Sequence, residues 1–254
     1  MPARDVLVIG NATQSDQDMA AARVSSGFEG IGVASMTGHA ACGHRGCTSV
    51  PDESWRTGPN LVTGLRTLGT VVLWGMALVQ GDERLLLAAL LCYWMGDIAD
   101  GLLARLTGTE TRTGAVLDVL ADRLCVCLVV VSYVTAHPAV VLPAAVFLLQ
   151  FVVLDAYLTL AFQNFSLLSP NYFGLVDATV FRLNWSPPAK ATNTAAVVLV
   201  VLLTGSTAAA TLLALAVLAV KAYSAVRLVR LPVPRTLSGC AVRDAHLAAV
   251  PATG

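Results

Sequence analysis

With 254 residues, 56% of them hydrophobic and 13% charged, and a mean hydropathy of +0.71, the chain carries roughly half the charged fraction of a soluble protein and reads as integral to a membrane. Its 16 basic and 16 acidic side chains cancel, so no global basic field points to nucleic acid, and the sequence holds no nucleic-acid motif.

Residues 1–57 mix Gly, Ala, Ser, Asp and Gln without a sustained apolar period. No basic start precedes an apolar core with a small-residue cleavage site, so no signal peptide and instead a flexible cytoplasmic extension is expected, with Met36 a second candidate start. Within it, His39-Ala-Ala-Cys42-Gly-His44-Arg-Gly-Cys47 places four soft ligands in nine residues. That spacing matches none of the usual structural zinc patterns, and the stretch reads as polar and disordered. Cys92, Cys125 and Cys127 fall within apolar spans as small hydrophobic side chains, and Cys240 stands by itself in the tail.

Six apolar segments are predicted as transmembrane helices, over 61–79, 85–106, 114–135, 139–162, 191–204 and 207–226, in an all-α polytopic fold. Gly205-Ser206 is the only break between the last two and suits a tight turn. The membrane domain therefore covers 58–231, and the tail over 232–254 is expected to be loose. Between the fourth and fifth spans, 163–190 reads as one long loop holding Tyr172, Asp177, Arg182, Asn184 and Lys190. An even number of spans puts both termini on one side. That side carries Arg56, Arg66, Arg105, Arg112, Arg123, Arg182, Lys190, Lys221, Arg227, Arg230 and Arg235, and the other holds only Arg84, so the termini face the cytoplasm.

Four aspartates lie inside this apolar sequence: Asp97 and Asp100 on the second span, Asp118 and Asp122 on the third. An ionised Asp at a helix centre costs about 3 kcal/mol on the mildest insertion scale, so the cluster demands a function. Spacings of three and of four put each pair on one helix face, and the short polar stretch 107–113 folds the helices antiparallel so that the faces meet. Oxygen ligands without His or Cys select hard cations such as Mg²⁺ or Mn²⁺, which complete their shells with phosphate oxygens and water. Two such ions polarise a phosphoryl group, and a fourth carboxylate is left to take a proton. Gly101, Ala104 and Gly114 leave room for a ligand between the helices, and Arg105 can pair with its phosphate.

The run Asp97-x2-Asp100-Gly101-x2-Ala104-Arg105-x8-Gly114-x3-Asp118-x3-Asp122 resembles the signature of the CDP-alcohol phosphotransferase family, with every fixed position present. Pro59-Asn60-x2-Thr63-x2-Arg66 resembles the stretch that opens the family's first span, and the resemblance runs from about Gly58 to Arg230. It implies a transferase in which an acceptor hydroxyl displaces CMP from a CDP-linked donor, usually CDP-diacylglycerol, at the cytoplasmic membrane face. It also implies a homodimer. By position it makes Asp97, Asp100 and Asp118 metal ligands and Asp122 both a ligand and the general base. Gly101, Ala104, Arg105 and Gly114, with Asn60, Thr63 and Arg66, would contact the CDP portion. Lys190 opens the fifth span where the family often carries a Lys-x-Thr element, and Arg182, Lys190 and Lys221 are candidates for a phosphorylated acceptor such as glycerol phosphate or inositol phosphate.

Other readings stay in view. A choline or ethanolamine phosphotransferase acting on diacylglycerol uses the same chemistry. A buried ion-pair network balanced by Arg105, Arg112 and Arg123, or a divalent-cation transporter, would also explain intramembrane carboxylates, although a transport site is expected nearer the midplane. Asp155 in the fourth span is expected to bond a neighbouring helix, Arg227 reads as ordinary flanking charge, and Glu110 and Arg112 are expected to be solvated. Trp74, Tyr133 and His137 read as anchors at the outer interface.

Overall fold

Caps and glycines divide the chain into its helices. In the computed structural model, which describes residues 42–48, 54–234 and 237–249, Thr57 opens α1 (Gly58–Gln80) by accepting from the Asn60 amide, and Gly81 closes it at φ 65°. Glycine takes that left-handed conformation at little cost. Asp82 caps α2 (Glu83–Thr107), Gly108 ends it at φ 64°, and Thr111 opens α3 (Arg112–Ala136) by accepting from Gly114 N at 3.0 Å. A turn that short returns the chain antiparallel.

The fourth rod, α4 (Pro138–Asn164), starts and finishes in 3₁₀ turns and widens into a π turn at Gln150–Asp155. The expected loop over 163–190 is instead largely folded: a 3₁₀ segment at Pro170–Leu175, then α5 (Ala178–Asn184), then a helical turn at Pro187–Ala191. Pieces this short fall below any window in which helical periodicity registers. Their folding comes from caps and buried aromatics: Asp177 accepts from the amides of Thr179 and Val180, and Phe173 lies edge-on to Phe165 and against Trp185. Helix α6 runs over 187–204, with a second π turn at Thr192–Ala196 before eight regular residues at Val197–Thr204. Gly205 and Ser206 make the anticipated turn into α7 (Thr207–Val229), with Gly205 at φ 63°.

Among the described residues the fold is helical, and four helices are long and apolar enough to cross a membrane: Gly58–Gln80, Glu83–Thr107, Pro138–Asn164 and Thr207–Val229. Helices α3 and α6 correspond to the other two expected spans. Helix α1 packs along α2 and α3, and α7 along α4. One buried cluster joins Leu86, Tyr93, Cys125, Phe147, Phe151, Val197 and Ala214. A second, at the end where the short helices lie, joins Leu158, Phe162, Phe165, Phe173, Val180, Trp185 and Leu228 with Cys47, Cys240 and Ala241.

The second cluster corrects two expectations. Part of the tail is folded, with α8 at Ala241–Ala249, because Cys240 and Ala241 bury themselves in that core. Part of the N-terminal extension, 42–48, joins it through Cys47, while residues 1–41 and 49–53, with His39 and Met36, lie outside the described residues.

Candidate active site

Helical spacing places the aspartates as their sequence positions require. Oxygens of Asp97, Asp100 and Asp118 lie within 4.8 Å of one another, and an oxygen of Asp122 shares the Arg66 guanidinium with Asp118. The four differ in exposure. The side chains of Asp97 and Asp118 are 40% and 39% exposed, Asp122 19% and Asp100 5%, so the first two face an open cleft and Asp100 forms its floor. A hard-cation donor set thus stands ready: three clustered carboxylates, two of them open to incoming oxygen ligands.

Arg66, expected against the nucleotide, reaches from α1 into the middle of the quartet. Its Nε donates to Asp100 Oδ2 at 2.9 Å, its Nη2 to Asp122 Oδ1 at 3.0 Å and to Asp118 Oδ1, and Asp97 lies 3.6 Å away. One guanidinium therefore faces four carboxylates, while its Nη1 is buried without a hydrogen-bond partner. Tyr93 backs it, with the guanidinium carbon 5.4 Å from the ring centroid. Gly96 makes its path possible, since a Cβ there would lie 2.4 Å from Arg66 Cβ. Thr63 Oγ1 adds a bond to Asp100 Oδ2 at 2.7 Å.

The cleft above the quartet is lined by Asn60, Thr63, Gly101, Ala104, Arg105 and Gly114, all expected as CDP contacts, whereas Arg66 is not part of its lining. Gly114 is required there: a Cβ would sit 2.6 Å from Asn60 Oδ1 and 2.8 Å from Thr111 Oγ1. Arg105 lies along its own helix beside Gly101, where a Cβ would meet its Nη1 at 3.3 Å.

The three acceptor candidates separate. Lys190 lines the cleft and its Nζ donates to Asn171 Oδ1. Lys221 also lines it, yet is 1% exposed and ion-paired with Asp155, which accepts from Arg123 as well. Asp155 thus makes the helix-to-helix bond expected of it, between α3, α4 and α7. Arg182 is exposed and donates to Ala178 O at 3.3 Å, away from the lining residues.

Several lining residues were not expected at the site. Asp155 and Asn193 sit in the two π turns, which interrupt regular spacing at this level of the bundle. Asn171 and Asn184 belong to the segment expected as loop. Glu110 and Arg112, expected in solvent, clasp that segment: Tyr172 Oη donates to Glu110, and Arg112 Nη2 to Gln163 O at 2.9 Å. Burial, then the Glu110 carboxylate, push the Tyr172 phenol up to about 12, so it remains a donor at neutral pH. Burial raises Asp177, but the Arg227 guanidinium and the amides of α5 outweigh it and hold the carboxyl below its ordinary value.

A carboxylate cluster in an apolar helix bundle, under a cleft with Arg105 and Lys190 on its walls, defines a membrane protein with a site that could take a metal ion and an anionic ligand. The chain belongs to the CDP-alcohol phosphatidyltransferase family, whose sequence model matches residues 56–223, from the start of α1 almost to the end of α7. Neither a curated protein nor a solved structure matches it. Membership implies a transferase that moves a phosphatidyl group from a CDP-alcohol to an alcohol acceptor in phospholipid synthesis.

Proposed function

We propose that the protein transfers the phosphatidyl group of CDP-diacylglycerol to a polar alcohol, with release of CMP. The observation that carries this reading is the aspartate quartet on α2 and α3 beneath a cleft lined by every fixed position of the family signature. Asp97, Asp100 and Asp118, with Asp122, would hold Mg²⁺ or Mn²⁺, and two ions would polarise the phosphoryl group and stabilise the departing phosphate oxygen.

The chain's own residues divide the remaining work. Asn60, Gly101, Ala104 and Gly114 shape the wall against which the CDP portion lies, and Arg105 supplies a fork for its phosphate. Asp122 is the base: it takes the proton of the acceptor hydroxyl as that oxygen forms a bond to the phosphorus bearing diacylglycerol and the bond to the CMP oxygen breaks. Its lower exposure beside Asp118 suits a carboxylate that meets only a bound hydroxyl. A phosphorylated acceptor, glycerol phosphate or inositol phosphate, is favoured by Lys190 at the cleft wall. Lys221 is buried and engaged by Asp155, and Arg182 is not among the lining residues, so both are weaker partners.

The same reading makes α3 and α6 membrane spans, six in all, with both termini and the cleft on the cytoplasmic side, as the Lys and Arg distribution favours. A homodimer follows from family resemblance.

The test is CMP release by the purified protein from labelled CDP-diacylglycerol with Mn²⁺ across a panel of alcohols, with the lipid product identified by mass. Release only with one polar alcohol supports the reading and names the acceptor. Acceptance of diacylglycerol with CDP-choline or CDP-ethanolamine would move the assignment to head-group transfer, and divalent-cation flux in proteoliposomes without any CDP ester would make it a transporter.

A further inference from the structure

A second ligand cluster lies outside the family match, where the N-terminal segment meets the tail. Cys42, His44, Cys47 and Cys240 each offer a ligand atom, and these atoms lie within 4.8 Å of one another. We propose that these four residues form a structural zinc site that staples residues 42–48 and the start of α8 onto the segment walling the active-site cleft.

The donor set is the first argument. Three thiols and one imidazole are the soft and borderline ligands that zinc takes in closed tetrahedral sites, in contrast to the oxygen ligands of the aspartates. Bonds of about 2.3 Å to sulfur give a tetrahedron with edges of about 3.8 Å, inside the observed spread. The Sγ of Cys240 is already 3.5 Å from His44 Nδ1, which marks Nδ1 as the ligand nitrogen. All three cysteines are free thiols, and an odd number cannot be consumed by disulfides within the cluster.

The scaffold is the second argument, because its backbone pairing and the Ser166 and Asp244 bonds bring distant residues together without using the ligand side chains. Cys47 forms an antiparallel bridge with Leu167, flanked by Leu168 N donating to Gly46 O at 2.8 Å and Thr48 N to Ser166 O at 3.1 Å. Ser166 then ties in the tail: its Oγ accepts from Gly239 N at 3.0 Å and donates to Asp244, whose other oxygen accepts from Ser238 N. Gly43 at φ 71° and Gly46 at φ 93° let the chain turn tightly between ligands, and a Cβ on Gly46 would run into the Tyr172 ring at 2.1 Å. The Ala241 amide donates to Cys47 Sγ at 3.3 Å, and Cys240 precedes the positive end of α8, both favourable to thiolate ligands.

All four positions are protein ligands, so the site is closed and structural rather than catalytic. Its effect reaches the cleft through Ser169, Pro170 and Asn171, which follow the Leu167 bridge directly and line the cavity.

The test is elemental analysis of the full chain purified in detergent without added metal or chelator. Wild type is expected to carry about one zinc per chain, and Cys42→Ser and Cys240→Ser to lower this about tenfold or more. His44→Cys is expected to keep the metal, since four thiolates also suit zinc. Asp118→Asn should keep it too, which separates this site from the aspartates and from the proposed transferase reaction. Wild type loaded with Co²⁺ should show thiolate-to-cobalt charge-transfer absorption, a readout available even if a serine variant fails to fold. Zinc-free wild type with no such band, undiminished zinc in both serine variants, or an intact mass showing two of the cysteines joined as a disulfide would each overturn the proposal.

Discussion

The aspartate quartet hangs on two long helices whose own periodicity aims the side chains, whereas Cys42, His44, Cys47 and Cys240 are assembled by a short bridge, a tail and two tight glycine turns. The first cluster is expensive in its surroundings and needs a cation from elsewhere in the chain, which Arg66 provides. The second sits where a small core meets solvent, with Cys47 and Cys240 buried and Cys42 exposed, and its role is to hold rather than to react. Rigid secondary structure suits a site that must be reached by substrate, and a crosslink suits segments too short to bury much surface.

The sharpest way to break this contrast is at the proposed base. Asp122→Asn should lower CMP release about 10²- to 10⁴-fold while the protein stays monodisperse in detergent, and full retained turnover would sink the base assignment. Next is the internal cation. Arg66→Ala leaves four facing carboxylates without their guanidinium and should cost about 3–5 kcal/mol, read as a lowered unfolding temperature that excess Mn²⁺ partly restores. Equal melting of variant and wild type would show that the quartet needs no internal partner. Gly96→Ala forces a methyl against the Arg66 stem and should cost about 1–3 kcal/mol in the same assay. An unchanged melt would mean that Arg66 has another path.

The smallest effect concerns the walling segment. Asp177→Ala removes the cap of α5 and should cost about 1 kcal/mol near neutral pH. Because the folded carboxyl titrates below its ordinary value of 3.8, its contribution is complete above that pH and fades as acidification passes through the folded value. The gap between variant and wild type should therefore close in acid, and a gap that widened there would reverse the sign of the shift.

What could be read from sequence follows from the same contrast. Asp97, Asp100, Asp118 and Asp122 were legible because each pair lies within one helix, where spacing alone decides the face. The hairpin between α2 and α3 and the Gly205-Ser206 turn were legible for the same local reason. The ion pairs of Arg66 could not be read from its position on α1, because its partners sit on two other helices. Cys240 was invisible as a partner of Cys42, His44 and Cys47 because nearly the whole chain separates them, and no periodicity spans a gap of that kind. The segment 163–190 escaped because its helices are a turn or two long and are held by Asp177, Glu110 and buried aromatics rather than by pattern.

Arg66 has one more consequence, for biosynthesis. Helix α1 precedes α2 and α3 in the order of synthesis, so its guanidinium is in place before either carboxylate pair arrives. The charge that faces both carboxylate pairs is thus supplied by the polypeptide itself, from the helix made before the two that carry them.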